Sequence, residues 1–92
     1  MTRTLNPTGQ FKRDYKREKA GQHADLDEAF RTVADLLNSG KALPATLNDH
    51  PLKGKWKGFR DLHIKPDLVL IYRKTKTAIE LVRLGSHSEL FG

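Results

Sequence analysis

Cysteine is absent from these 92 residues, so neither a disulfide nor a thiolate zinc site can reinforce the fold. No apolar run approaches the roughly 20 residues of a membrane span. The polar start is unlike a signal peptide. A soluble, cytoplasmic domain without a membrane partner is therefore expected. Negative charge is also scarce. Eleven Asp and Glu face 17 Lys and Arg, a net charge of +6 with a pI near 9.8, so an acidic partner, nucleic acid or protein, is expected. Neither a Walker-type loop nor an HExxH pair occurs, and no cofactor is expected. Internal repeats, low-complexity segments and flexible linkers are missing too. The chain reads as a single domain over residues 1–92, burying only about 60–65% of the surface its unfolded form exposes.

What is present divides into two halves. Thr2 to Leu5 is a short candidate strand, stopped by Asn6-Pro7. Thr8 is placed to cap a helix from Gly9 to Ala20, with Phe11 and Tyr15 one turn apart on its buried side. Asp25 and Glu28 resemble a capping box. Leu26, Phe30, Val33 and Leu37 then mark one face of a second helix, ended by Ser39-Gly40. Leu43 to Asp49 is a connecting loop. From Phe59 to Lys65 the pattern alternates, with Leu62 and Ile64 towards a core and Asp61 and His63 on the other face. Pro66-Asp67 is a turn. Leu68 to Tyr72 is the nearly continuous apolar run of a central strand, Lys74 to Thr77 a polar turn, and Ala78 to Leu84 a last strand. The residues after it suit one helical turn. The order β-α-α-β-β-β predicts an α+β fold, with both helices on one face of an antiparallel sheet and the opposite face open.

Chemistry concentrates in the second half. His50, His63 and His87 all lie in residues 50–92, where nine Lys and Arg face four Asp and Glu. Histidine changes charge near neutrality, and RNA is the natural polyanion to hold beside it. Cleaving RNA requires a base for the ribose 2′-OH, an acid for the departing 5′-oxygen, and positive charge for the crowded phosphorus between them. Imidazoles beside Asp61 and Asp67 can supply the first two; Lys53, Lys55, Arg60, Lys65 and Arg83 can supply the third. Each residue also has a plainer role. His50 suits a strand entrance, Asp67 a turn, and His87 an exposed tail. Arg83 either snorkels among Leu81, Val82 and Leu84 or points at a phosphate. Phe91 frays unless it stacks on a base. No two of the three histidines sit at i, i+4 spacing, so no metal centre is expected.

Asp49-His50-Pro51-Leu52-Lys53-Gly54, Trp56-Lys57-Gly58-Phe59-Arg60-Asp61-Leu62-His63 and Pro66-Asp67-Leu68-Val69-Leu70-Ile71-Tyr72 together resemble the YafQ branch of the RelE superfamily of bacterial type II toxins. The closing run Arg83-Leu84-Gly85-Ser86-His87-Ser88-Glu89-Leu90-Phe91-Gly92 is similar to that branch's tail. The specific matches fall within residues 49–92, and the helical half agrees in general character. The resemblance implies a ribosome-dependent endoribonuclease that cuts mRNA, leaving a cyclic phosphate and a 5′-hydroxyl. It places His50, His63, Asp67 and His87 among the acid–base residues, Asp61 as a supporting acid and Phe91 as an aromatic needed for activity. His87 becomes the candidate acid and His50 or His63 the candidate base. The basic first helix, with Lys12, Arg13, Lys16 and Arg17, becomes a candidate contact for ribosomal RNA phosphates. A cognate antitoxin is implied as a partner, covering the basic groove or filling an apolar strip on the helices. Two alternatives stay open: a ParE-like gyrase poison that cuts no RNA, and a non-catalytic basic RNA-binding module.

Overall fold

The computed structural model describes residues 3–92, so Thr2 of the expected first strand lies outside the described residues. The elements run β1 (Thr4–Pro7), α1 (Gly9–Ala20), α2 (Leu26–Ser39), β2 (His50–Pro51), β3 (Arg60–Lys65), β4 (Leu68–Lys74), β5 (Ala78–Gly85) and α3 (His87–Phe91), with short 3₁₀ turns at Ala45–Leu47 and Gly54–Trp56. The α+β class is as expected. Two details of the sheet are not. It has five strands in the order β1-β5-β4-β3-β2, because His50 and Pro51 add an edge strand. It is also mixed: β1 lies parallel to β5, from Thr4 opposite Ala78 to Pro7 opposite Leu81. Hairpins force antiparallel pairing on β3, β4 and β5, but two helices separate β1 from the other strands and free it to run the other way.

Alternation along the strands builds the main core. Leu62, Leu68, Leu70, Tyr72, Ile79, Leu81 and Leu84 face the helices and meet Phe11, Leu26, Val33 and Leu37. Phe30 packs against this core from α2, and its ring lies 5.7 Å from Phe11 and 5.5 Å from Tyr15. The opposite face is not open. A central strand that is apolar at every position needs cover on both sides, and Val69 and Ile71 receive theirs from Leu90, Leu52, Trp56, Phe59, Val82 and Phe91. The expected tail is therefore a lid over the second face.

The helix ends show which local signals hold. The Thr8 hydroxyl accepts the Phe11 N–H at 3.0 Å, as its position suggested. Asp25 flanks α2 but makes no side-chain capping bond. Its carboxylate pairs instead with Lys65, tying the start of α2 to the end of β3. A complete capping box does form at α3, where Ser86 and Glu89 bond each other's backbone N–H groups.

Asp14 carries the main tie between α1 and the sheet. β1 pairs with β5 only as far as Leu81, so the rest of that edge needs other partners. Thr8 donates its N–H to the Leu81 carbonyl and its hydroxyl to the Val82 carbonyl. Asp14, fully buried, accepts the Leu84 N–H at 3.1 Å, Arg83 Nε at 2.8 Å and Gln10 Nε2 at 2.9 Å. Burial pushes this carboxyl up, but the bonds from Arg83, Gln10 and Leu84 outweigh it and hold the pKa below the ordinary Asp value. A carboxyl lowered in the folded state contributes stability above its unfolded pKa, about 3.9, and loses it as the pH falls through the folded value. Asp14→Ala is expected to cost about 2–3 kcal/mol at pH 7, since it strands hydrogen-bond donors of two arginines and a buried N–H. Urea denaturation checks this, and the gap from wild type should narrow below about pH 4.

Candidate active site

The second face of the sheet gathers the histidines. Alternation on β3 puts Asp61 and His63 there, and the β2 register sets His50 directly opposite Asp61. β5 ends at Gly85, the capped turn at Ser86 reverses the chain, and His87 opens α3. Four residues on, Phe91 lies with its ring 4.8 Å from that of His87. It is half-buried against the second-face core rather than frayed.

Asp61 sits beneath this group, 2% exposed. It was expected to line an open face and is buried instead. Its Oδ1 lies 3.0 Å from His50 Nδ1. That nitrogen also lies 2.8 Å from the Asn48 carbonyl, which can only accept. A proton on Nδ1 is thus directed to Asn48, and Asp61 Oδ1 has charge contact with His50 but no aligned hydrogen bond. The same argument applies to His63, whose Nδ1 lies 3.4 Å from the Pro66 carbonyl. Both rings then present Nε2 as a free lone pair in the neutral state. Burial pushes the Asp61 carboxyl up, and the opposing pull of His50, His63 and His87 does not cancel it. His50 is the imidazole in contact with this carboxylate, and His63 lies two residues further along the same strand.

Asp67 lies elsewhere. The β3–β4 turn carries it to a cleft of about 320 Å³ lined by Arg17, Glu18, His23, Ser86 and Glu89, one residue from His87. The expected phosphate-binding cations also separate. Arg60 faces the helix side, where it binds Asp49 at 2.8 and 3.3 Å beside the Tyr72 hydroxyl, which bonds the same carboxylate. Lys65 is held by Asp25 and Arg83 by Asp14. Lys53 and Lys55 are exposed on the loop between β2 and β3 and take part in no ion pair among the described residues. Gly54 and Gly58, at φ +66° and +94°, give that loop backbone turns that side chains disfavour. On α1, Lys12, Arg13 and Lys16 point outward, whereas Arg17 binds Asp14, Glu18, Glu89 and the Leu84 carbonyl. Among the described residues no three potential metal ligands converge.

The family model for YafQ, bacterial toxins of type II toxin–antitoxin systems, matches residues 3–92. The chain belongs to the YafQ family. The mRNA interferase toxin YafQ of Escherichia coli K12 is 39% identical over 92 residues, covering all of this chain and 99% of that protein. The crystal structure of YafQ from E. coli BL21(DE3) superposes with a TM-score of 0.88 at 37% identity, over 98% of this chain and 99% of that one. YafQ in the E. coli DinJ–YafQ toxin–antitoxin complex gives 0.87 at 38% identity over the full length of both chains.

Within this family member, three residues that shape the site carry no mark in the sequence. Asp14 looks like one more charge on a charged helix, Arg17 like one more outward cation, and His23 like a loop residue. The Ser-x-x-Glu spacing of Ser86 and Glu89 is a local signal that the reading of the tail as one helical turn left unused. The raised Asp61 carboxyl has a stability consequence. A carboxyl raised in the folded state costs stability once the pH exceeds its unfolded value. Asp61→Asn is therefore expected to melt at the wild-type temperature or a few degrees above it at pH 7. The difference should shrink as the pH falls through the carboxylate range. Thermal melts at pH 7 and pH 4 measure both.

Proposed function

We propose that this protein is the toxin of a type II toxin–antitoxin pair and an endoribonuclease that cuts mRNA on the ribosome in the bacterial cytoplasm. The observation that carries this reading is the gathering on one sheet face of His50, 3.0 Å from the buried Asp61 carboxylate, His63 on the same strand as Asp61, and His87 at the end of β5 against Phe91, in a chain of the YafQ family. An acid and a base are both within that group, and a binding module needs neither.

The reaction follows from ordinary acid–base chemistry. A base removes the ribose 2′-OH proton, and the 2′-oxygen attacks the adjacent phosphorus. The bond from phosphorus to the 5′-oxygen breaks as an acid delivers a proton to that oxygen. The products are a 2′,3′-cyclic phosphate and a 5′-hydroxyl, with no net proton consumed. His50 suits the base: the Asn48 carbonyl orients its ring so that Nε2 accepts the proton, with the Asp61 carboxylate 3.0 Å from Nδ1. His87 serves as the acid, with Phe91 against its ring and able to stack on a base. Lys53 and Lys55 stabilise the charge building on the phosphoryl oxygens. Arg60, Lys65 and Arg83, committed to Asp49, Asp25 and Asp14, contribute through the shape of the site. Lys12, Arg13 and Lys16 meet ribosomal RNA phosphates, and a cognate antitoxin holds the toxin silent.

His87→Gln is expected to fold normally, bind ribosomes as wild type does, and cleave roughly 10²–10⁴-fold more slowly, the usual worth of a positioned acid. Expression of both proteins in growing bacteria with mapping of new mRNA 5′ ends measures this. Undiminished cutting by the variant overturns the assignment of His87. Growth arrest by both proteins without new ends favours the gyrase-poison or binding readings.

A further inference from the structure

The fourth histidine is the least exposed of the described polar side chains that the proposed mechanism leaves unused, apart from the structural Asp14. His23 sits in the loop joining α1 to α2 at 6% exposure. That loop is braced at both sides of it: the His23 N–H binds the Glu18 carbonyl, and the His23 carbonyl accepts the Leu26 N–H. The imidazole therefore has a fixed origin. From there it reaches the β3–β4 turn, where Nε2 lies 3.9 Å from Asp67 Oδ2 and equally 3.9 Å from Glu18 Oε1. These are ion-pair distances, too long for hydrogen bonds. The two carboxylates differ in kind. Glu18 is largely buried on α1, while Asp67 is 63% exposed on a turn and has freedom to move. His23 and Asp67 line the same cleft as Ser86, the residue before His87.

We infer that His23 is a positioning residue for Asp67, a buried imidazole that holds the turn carboxylate at the edge of the cleft beside the segment bearing His87. This rests on the reading of Asp67 as a site residue. Without such a tether, an exposed aspartate in a two-residue turn samples many rotamers and contributes little to a defined geometry. With it, the helical half of the molecule sets the position of a group on the sheet. The cleft itself is not built for phosphate. Glu18, Asp67 and Glu89 line it, and its Arg17 is already bound by Asp14, Glu18 and Glu89. The charged groups around the imidazole are Glu18 and Arg17 from α1, Asp67 from the turn, Glu89 from α3, and Asp25 ahead of α2 with its partner Lys65 from β3.

Two measurements test this. The Asp67 carboxyl ¹³C resonance is expected to move between wild type and His23→Gln while carboxyl resonances outside the cleft stay in place; an unmoved Asp67 resonance overturns the contact. Cleavage kinetics of His23→Gln, Asp67→Asn and the double variant then ask whether the contact matters. His23→Gln is expected to lower kcat roughly two- to fivefold, the effect of one solvent-accessible ion pair. KM for programmed ribosomes should not change. In the Asp67→Asn background the same substitution should cost nothing further. Equal losses in both backgrounds mean that His23 acts only on the loop, and the inference fails. Wild-type cleavage by Asp67→Asn alone removes Asp67 from the site and His23 with it, while leaving the endoribonuclease reading intact.

Discussion

A single carboxylate without solvent contact, Asp14, holds the helical half of the molecule against the strand that leads into the site. The constraint behind it is elementary. β5 needs a partner along its whole length, β1 is too short to provide one, and an unpaired buried N–H is costly. Asp14 meets that demand by accepting the Leu84 N–H, and in doing so fixes Arg83 and Arg17. Arg17 in turn reaches Glu89, whose other role is to cap the helix that begins with His87. The chain of contacts runs from helix to edge strand to lid, and each link is polar. The apolar core aligns the layers; these bonds set the register at which the lid closes.

The same bonds change the meaning of the basic composition. A net charge of +6 suggests a surface of free cations. Arg17, Arg60, Lys65 and Arg83 are instead bound to carboxylates of their own chain. Lys53 and Lys55 on the β2–β3 loop and Lys12, Arg13 and Lys16 on α1 are among the cations left outward. Asp61 shows the contrary choice. It is a carboxylate buried beside the His50 imidazole with one oxygen lacking a hydrogen bond, and it is costly to the folded state. Stability is given up where the chemistry is, and recovered at Asp14 and Asp49, whose carboxyls are held below their ordinary range once their arginine partners outweigh burial.

Much of the fold was legible because its signals are local. The Thr8 cap, the Leu26–Phe30–Val33–Leu37 face and the apolar β4 all depend on neighbours in sequence. Sheet direction was not legible, because β1 meets β5 across more than 70 residues and nothing in Thr4–Pro7 records which way its partner runs. The covered second face was missed although β4 implied it, since its cover comes from two pieces that look like loop and tail. At the candidate site, alternation pointed to Asp61 and His63 on one face of β3, and the histidine pattern together with the family resemblance pointed to His50 and His87. The roles of Arg60 and Lys65 were not, because an ion pair to Asp49 or Asp25 is a fact of three dimensions. His23 had no sequence signal of any kind.

The pairing of β1 with β5 also orders events in time. During synthesis the first strand and both helices leave the ribosome while the residues that must flank β1 do not yet exist. No stretch before Ala78 can close that edge, and Asp14 has no Leu84 N–H to accept until later still. Such distant pairings make closure late and cooperative rather than progressive. A partly made chain therefore carries helices and imidazoles before the edge that joins them to β5 has closed.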